Sequence, residues 1–261
     1  AALVVNSSIP NTTLVYSYVA KVNKSVGDLD SFNDINPDDG VHMVTAQNKS
    51  IDNITLTGTW YFAEDLSTLI ESRTTSGVFG NGDVNILWGD VAYKANGLTI
   101  AAQLGEIQPD GLTDTFAWGA KVAGDLGGFG LAAAYSSVDD GDVASANLAG
   151  VKTPLYTQSI LNQDAIKSDA DTVKLSATTK ALSGTFGLHY IYADLGTQAF
   201  ASTFPETGKP AGAGEYTEID LTYKTKVFND STTVFAGYVY QDDDRLDSEQ
   251  NFLRFWARYN F

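Results

Sequence analysis

Phe252-Leu253-Arg254-Phe255-Trp256-Ala257-Arg258-Tyr259-Asn260-Phe261 changes character at almost every step. Taken in twos, Leu253, Phe255, Ala257, Tyr259 and Phe261 are apolar or aromatic, while Arg254, Trp256, Arg258 and Asn260 are largely polar and basic. A strand sends alternate side chains to opposite faces of its sheet, so these sets part company. A soluble sheet does not usually expose the aromatics and cover the charge. A transmembrane β-barrel does, with lipid outside, water inside and aromatics at the membrane interface.

The same alternation recurs back along the chain in segments of about ten residues, the length that spans a bilayer as a tilted strand. Strands are expected at 1–6, 12–22, 41–49, 54–63, 83–95, 98–105, 115–124, 129–138, 172–181, 185–194, 215–227, 231–241 and 250–261, thirteen in all. Only Leu66–Ser72 has the makings of a helical turn. The six prolines, at 10, 37, 109, 154, 205 and 210, are expected in the gaps, where a missing N–H breaks no ladder. Short connections (7–11, 50–53, 95–97, 125–128, 182–184 and 228–230) alternate with long polar ones (23–40, 64–82, 106–114, 139–171, 195–214 and 242–249). Turns on one rim and loops on the other fit a barrel with periplasmic turns and extracellular loops.

Composition narrows the function. No apolar run approaches the roughly 18 to 20 residues of a membrane helix, so any span is built from strands. A net charge of −16 argues against nucleic acid, because phosphates would meet like charge. There is no cysteine, which excludes a disulfide scaffold and thiol chemistry. No linker divides the chain, so one domain covers 1–261. No signal peptide is read, and Ala1 is expected to follow processing or truncation.

An internal repeat supports the barrel layout. Asn6-Ser7-Ser8-Ile9-Pro10-Asn11-Thr12-Thr13-Leu14 matches Asn48-Lys49-Ser50-Ile51-Asp52-Asn53-Ile54-Thr55-Leu56 at a period of 42, with Ala95–Ile100 a looser third copy. That period suits two strands plus one outer loop. The Asn-x-Ser/Thr triplets read as turn chemistry rather than glycosylation acceptors. Thirteen is odd, whereas a bacterial barrel with both termini in the periplasm has an even count. An odd number of N-terminal strands is therefore expected to be absent from this chain; the alternative is a strand miscounted within 63–82 or 139–171.

Alternation also sorts the charges. Lys94, Lys121, Lys174, Lys180, Lys224, Lys226, Arg254 and Arg258 share the inward parity with Asp90, Glu218 and Asp220, eight positive against three negative. In lipid each Lys or Arg would cost about 2–4 kcal/mol at the midplane, so this face is expected to be wet. Acids gather in the long loops instead: Asp28, Asp30, Asp34, Asp38 and Asp39; Asp139, Asp140 and Asp142; Asp164, Asp169 and Asp171; Asp242, Asp243, Asp244 and Asp247. In one reading they solvate the loops. In the other, the loop 139–171 folds inward on Leu148, Val151, Leu155, Tyr156, Ile160 and Leu161. Asp164, Asp169 and Asp171 would then oppose the basic wall in a transverse field at a constriction.

Chemistry is sparse. Only His42 and His189 occur, and no Ser–His or Asp–His spacing supports nucleophilic catalysis; His189 is expected to line the pore. Clustered carboxylates can hold calcium, but neither 28–39 nor 242–249 has the spacing of a helix-loop-helix site. No cofactor or metal site is expected, with a loop-bound calcium left open. Tyr16, Tyr18, Trp60, Phe62, Phe116, Trp118, Tyr190 and Tyr192 read as lipid-facing or girdle residues, not a sugar-binding stripe.

The block Val4–Val15, its second copy and Ala133-Ala134-Tyr135-Ser136-Ser137-Val138-Asp139-Asp140 resemble the major outer-membrane porins of campylobacterial type, related to the OprD-like porins. The resemblance implies a barrel of about sixteen to eighteen strands, so that about three to five would lie outside this chain. It also implies passive diffusion of ions and small hydrophilic solutes across a Gram-negative outer membrane, selected by size and charge, often as a homotrimer. The expectation is an all-β transmembrane antiparallel barrel, a channel and not an enzyme. The alternatives are an outer-membrane adhesin or structural barrel with partner-binding loops and a plugged pore, or a rim-active hydrolase.

Overall fold

The computed structural model describes residues 1–22, 32–34, 39–64, 82–145, 153–196, 213–229, 231–246 and 248–259. Among these residues there are fifteen strands, thirteen of them long enough to carry the period of two: β1 (Ala2–Asn6), β2 (Thr12–Val19), β3 (Lys21–Val22), β4 (Asn33–Asp34), β5 (Val41–Asn48), β6 (Ile54–Ala63), β7 (Val84–Ala95), β8 (Leu98–Pro109), β9 (Thr115–Leu126), β10 (Phe129–Val138), β11 (Ala170–Ala181), β12 (Gly184–Leu195), β13 (Gly214–Val227), β14 (Thr232–Asp243) and β15 (Gln250–Tyr259). Thirteen form one sheet, each antiparallel to the next in chain order; β3 and β4 make a separate small hairpin. All thirteen expected strands are present. Among the described residues β1 and β15 each pair on one side only.

The differences from expectation are local. Pro109 ends β8 opposite Val84 instead of lying in a gap; as the final residue it needs to donate nothing to the ladder. Lys21 and Val22, expected to continue the strand 12–22, instead pair with Asn33–Asp34; that hairpin and one turn of 3-10 helix at Asn162–Asp164 are too short to leave a periodic trace of their own. Leu66–Ser72, Leu148, Val151, Asp28, Asp30, Asp38, Asp247, Asn260 and Phe261 lie outside the described residues.

The repeated segments are turns with the same geometry. The Asn6 side chain accepts from the Ser8 amide at 3.0 Å, and Asn48 from the Ser50 amide at 3.0 Å. Thr12 N–H donates to Ile9 O and Ile54 N–H to Ile51 O, both at 3.1 Å. Asn11 and Asn53 follow at φ 56° and 63°, a left-handed conformation that asparagine tolerates well. At Asn96-Gly97 both residues have positive φ, 51° and 77°, as a two-residue hairpin turn requires.

The two faces of the sheet invert the usual order. On one face Leu104, Leu188 and Leu221 are 58%, 51% and 53% exposed. On the other Ser136, Thr172, Glu218 and Asp220 are fully buried. The segment 153–169, part of the long connection from β10 to β11, lies on this second face. That defines the inner face. Its apolar floor of Ala117, Val138, Ala170, Ala193, Leu195 and Tyr216 packs against Leu155, Ala165 and Ile166 of the segment. Gly105 supplies room there: a Cβ would fall 1.9 Å from the Trp88 ring, which lies across it.

Candidate functional site

Register brings the inward charges together. Lys121, Ala134, Lys174, Ile191 and Glu218 stand on one cross-strand row of β9 to β13. The next row carries Ser176, His189 and Asp220. Over these rows lies the tip of the inner segment, residues 156–161. The Ile160 and Leu161 amides donate to Glu218 Oε1 at 3.0 and 3.1 Å. The Tyr216 hydroxyl donates to Glu218 Oε2 at 2.5 Å. Ser159 Oγ donates to Asp220 Oδ2 and the Tyr156 hydroxyl to Asp90 Oδ2. Lys174 Nζ donates to Gln158 O, and Lys121 sits 5.9 Å from the Tyr156 ring centre.

These contacts have one physical cause. A carboxylate taken out of water must recover hydrogen bonds or neutralise. Glu218 recovers three. Asp220 Oδ1 finds no partner among the described residues. Burial, and then the neighbouring Asp90 carboxylate, push the Tyr156 phenol above its ordinary range, so it stays a donor. Deeper anchoring comes from Ser136 Oγ and Thr157 Oγ1, 2.5 Å apart, and from Gln103 Nε2 donating to Pro154 O at 3.3 Å.

The other cations stand apart. Lys94, Lys180, Lys224, Lys226, Arg254 and Arg258 are exposed, toward the end of the sheet where the short turns lie. None has an ion-pair partner among the described residues. Lys180, Thr185, Lys224, Phe235 and Trp256 share one row, where Phe235 and Trp256 stack at 5.2 Å and 9°, with Arg258 5.7 Å from the Trp256 ring.

The acids expected to face that wall lie elsewhere. Asp164 is exposed and bonded to Lys167 at 3.2 Å. Asp169, at φ 44°, closes the base of the segment: its amide donates to Asp139 O, and its carbonyl accepts from Gly196 N–H. Asp171 has outer-face parity with Val173, and its Oδ1 accepts from the Tyr135 hydroxyl at 2.6 Å. The physical reason is that Glu218 and Asp220 already occupy the wall, so hydroxyls and amides satisfy them where a loop carboxylate would repel them. Several of the other acids expected in loops are structural. Asp243 holds a two-pronged, buried pair with Arg245, and Asp139 and Asp142 accept from the Phe116 and Thr113 amides.

Ile166, fully buried, Tyr156 as a hydrogen-bond donor, and Ser159 escaped sequence reasoning, since aperiodic segments carry no facing signal. Phe235 was legible by parity with Gly237 and Val239. His189 lies on the inner face, its Nδ1 2.9 Å from Ser176 Oγ. Among the described residues no group of three or more His, Cys, Asp or Glu is arranged to hold a metal.

No family model and no curated relative matches the chain. Solved structures do. Pseudomonas aeruginosa OccK7 (OpdD) aligns at TM-score 0.70 and 14% identity over 98% of this chain and 67% of that one. The outer membrane protein opdK of the same species aligns at 0.69 and 13%, covering 98% and 68%. P. aeruginosa OprD aligns at 0.65 and 12%, covering 98% and 69%. At such identities the likeness establishes the fold: the sheet is built as in the OprD and Occ outer-membrane proteins.

Proposed function

We propose that the chain forms most of the wall of an outer-membrane porin, a non-enzymatic, water-filled channel through which ions and small hydrophilic solutes diffuse, selected by size and charge. The observation that carries this is the inversion of faces, an exposed apolar band outside and polar, charged side chains within. Lipid solvates the first and lumen water the second. The likeness to OccK7 and OprD supports the same reading.

The domain is then a single barrel. β1 and β15 point the same way, because they are the first and last of thirteen alternating strands, so an odd number of further antiparallel strands would close the wall. Long connections face the outside of a Gram-negative cell and short turns the periplasm. The finer identity is the campylobacterial major-porin type, working as a homotrimer, with outer-membrane lipid as its other partner. The exposed inner-face cations line the passage, while Asp90, Glu218 and Asp220 belong to the wall beneath 153–169, which narrows it.

The burial of that segment also favours a second reading, a plugged barrel whose loops bind a partner. Purified protein in planar lipid bilayers separates the two. Stepwise conductance in KCl is expected; its absence at protein densities where a control porin inserts would leave the plugged barrel.

A further inference from the structure

We propose that the tip of the inner segment, Tyr156 with Ser159 and the Ile160 and Leu161 amides, sets the channel's charge preference by capping the acids of the wall and leaving its bases uncovered. The inference rests on the porin reading and names what selects within it.

Three carboxylates stand in the middle part of the inner face, Asp90 on β7 with Glu218 and Asp220 on β13. The same six residues, 156–161, bond to all three, and every donor is neutral: Tyr156 and Ser159 hydroxyls and two backbone amides. Glu218 and Asp220 are fully buried beneath it. Cations are treated differently. Lys174 is drawn in to Gln158 O, yet Lys180, Lys224, Lys226, Arg254 and Arg258 make no hydrogen bond or ion pair with the tip among the described residues and stay exposed. Neutral donors do not cancel a carboxylate's charge, but they remove it from water and from passing ions, so a solute cannot coordinate it. Lys174 and Lys121 lie on the Glu218 row and offset what field remains. A solute crossing the lumen therefore meets no exposed carboxylate beneath the tip and, toward the short turns, exposed ammonium and guanidinium groups that outnumber the exposed acid there, Asp125. That favours anions in a protein whose net charge is −16. Asp220 Oδ1, buried and without a partner among the described residues, is the atom a cation would reach first if the cap were loosened.

The test is the reversal potential of single channels in a KCl gradient, for wild type and four variants. Wild type is expected to favour chloride. Tyr156→Phe/Ser159→Ala removes the side-chain caps and is expected to lower the chloride-to-potassium permeability ratio by about twofold or more, the scale of one added charge in a narrow pore. Glu218→Gln/Asp220→Asn alone is expected to change the ratio little, since those charges are already covered. Combined with the cap variant, and with Asp90→Asn for the acid that Tyr156 no longer caps, it is expected to restore the wild-type ratio. Ser159→Thr, which keeps a hydroxyl, should match wild type. A chloride-selective wild type whose ratio is unmoved by uncapping overturns the inference while sparing the channel. So does a large change from Glu218→Gln/Asp220→Asn alone. A wild type that never conducts overturns the porin reading and the inference with it.

Discussion

The inner face of β13 holds two environments a few residues apart. At Tyr216, Glu218 and Asp220 the wall is fully buried beneath the segment 153–169; at Lys224 and Lys226 it is exposed. Both stretches have the same parity and similar polarity. Strand period decides which side of the sheet a residue faces, but whether that side is wet depends on what else lies there. In the first stretch carboxylates are hydrogen-bonded and structural. In the second, cations are exposed and without ion-pair partners among the described residues.

The contrast breaks most readily at the buried end. Ile166→Ala removes a fully buried side chain and is expected to cost about 2–5 kcal/mol of stability, most of it as undocking of the segment. Limited proteolysis within 153–169, followed in detergent, should accelerate strongly, while Lys224→Ala should leave it unchanged. Equal protection of both variants would mean that the buried end is not held by this packing. Next in size, Leu188→Arg on the outer face should cost about 2–4 kcal/mol at mid-membrane depth, read as lost folding yield into liposomes. Thr222→Arg, of opposite parity and just below the tip, should fold nearly as well as the parent.

A smaller effect is expected at Gly105, where a Cβ would meet the Trp88 ring. Gly105→Ala should cost about 1–3 kcal/mol through overpacking, and Trp88→Leu in the same chain should recover part of it. Additive losses in that double-mutant cycle would show that the two positions do not touch. Smallest in stability, though not in selectivity, is Lys224→Glu with Lys226→Glu. These exposed positions should shift thermal stability within about 0.5 kcal/mol while moving the reversal potential toward cations.

What was legible in the residues follows the same division. The thirteen strands, the alternation of turns and loops, and the parity of Lys121, Lys174, Glu218 and Asp220 all express period two, a local property. The turn at Asn48–Asn53 was readable because it repeats Asn6–Asn11. The places of Asp164, Asp169 and Asp171 were not, because the path of a long connection is set by tertiary contacts that leave no period. Charge complementarity suggested acids on the loop facing bases on the wall. Packing chose the reverse, hydroxyls and amides over wall acids, since a buried carboxylate needs donors more than a distant lysine needs a counterion.

The most direct measurement uses the absence of cysteine from the chain. Single cysteines placed in turn at 217–226 of β13, in liposomes, are reacted with a water-soluble, membrane-impermeant thiol reagent. Labelling at 222, 224 and 226 but not at 219, 221, 223 or 225, with 218 and 220 reacting only after Ile166→Ala loosens the covering segment, is the predicted pattern. Uniform labelling along the strand, or faster reaction at 219, 221 and 223, would contradict a wall with lipid on one side and water on the other.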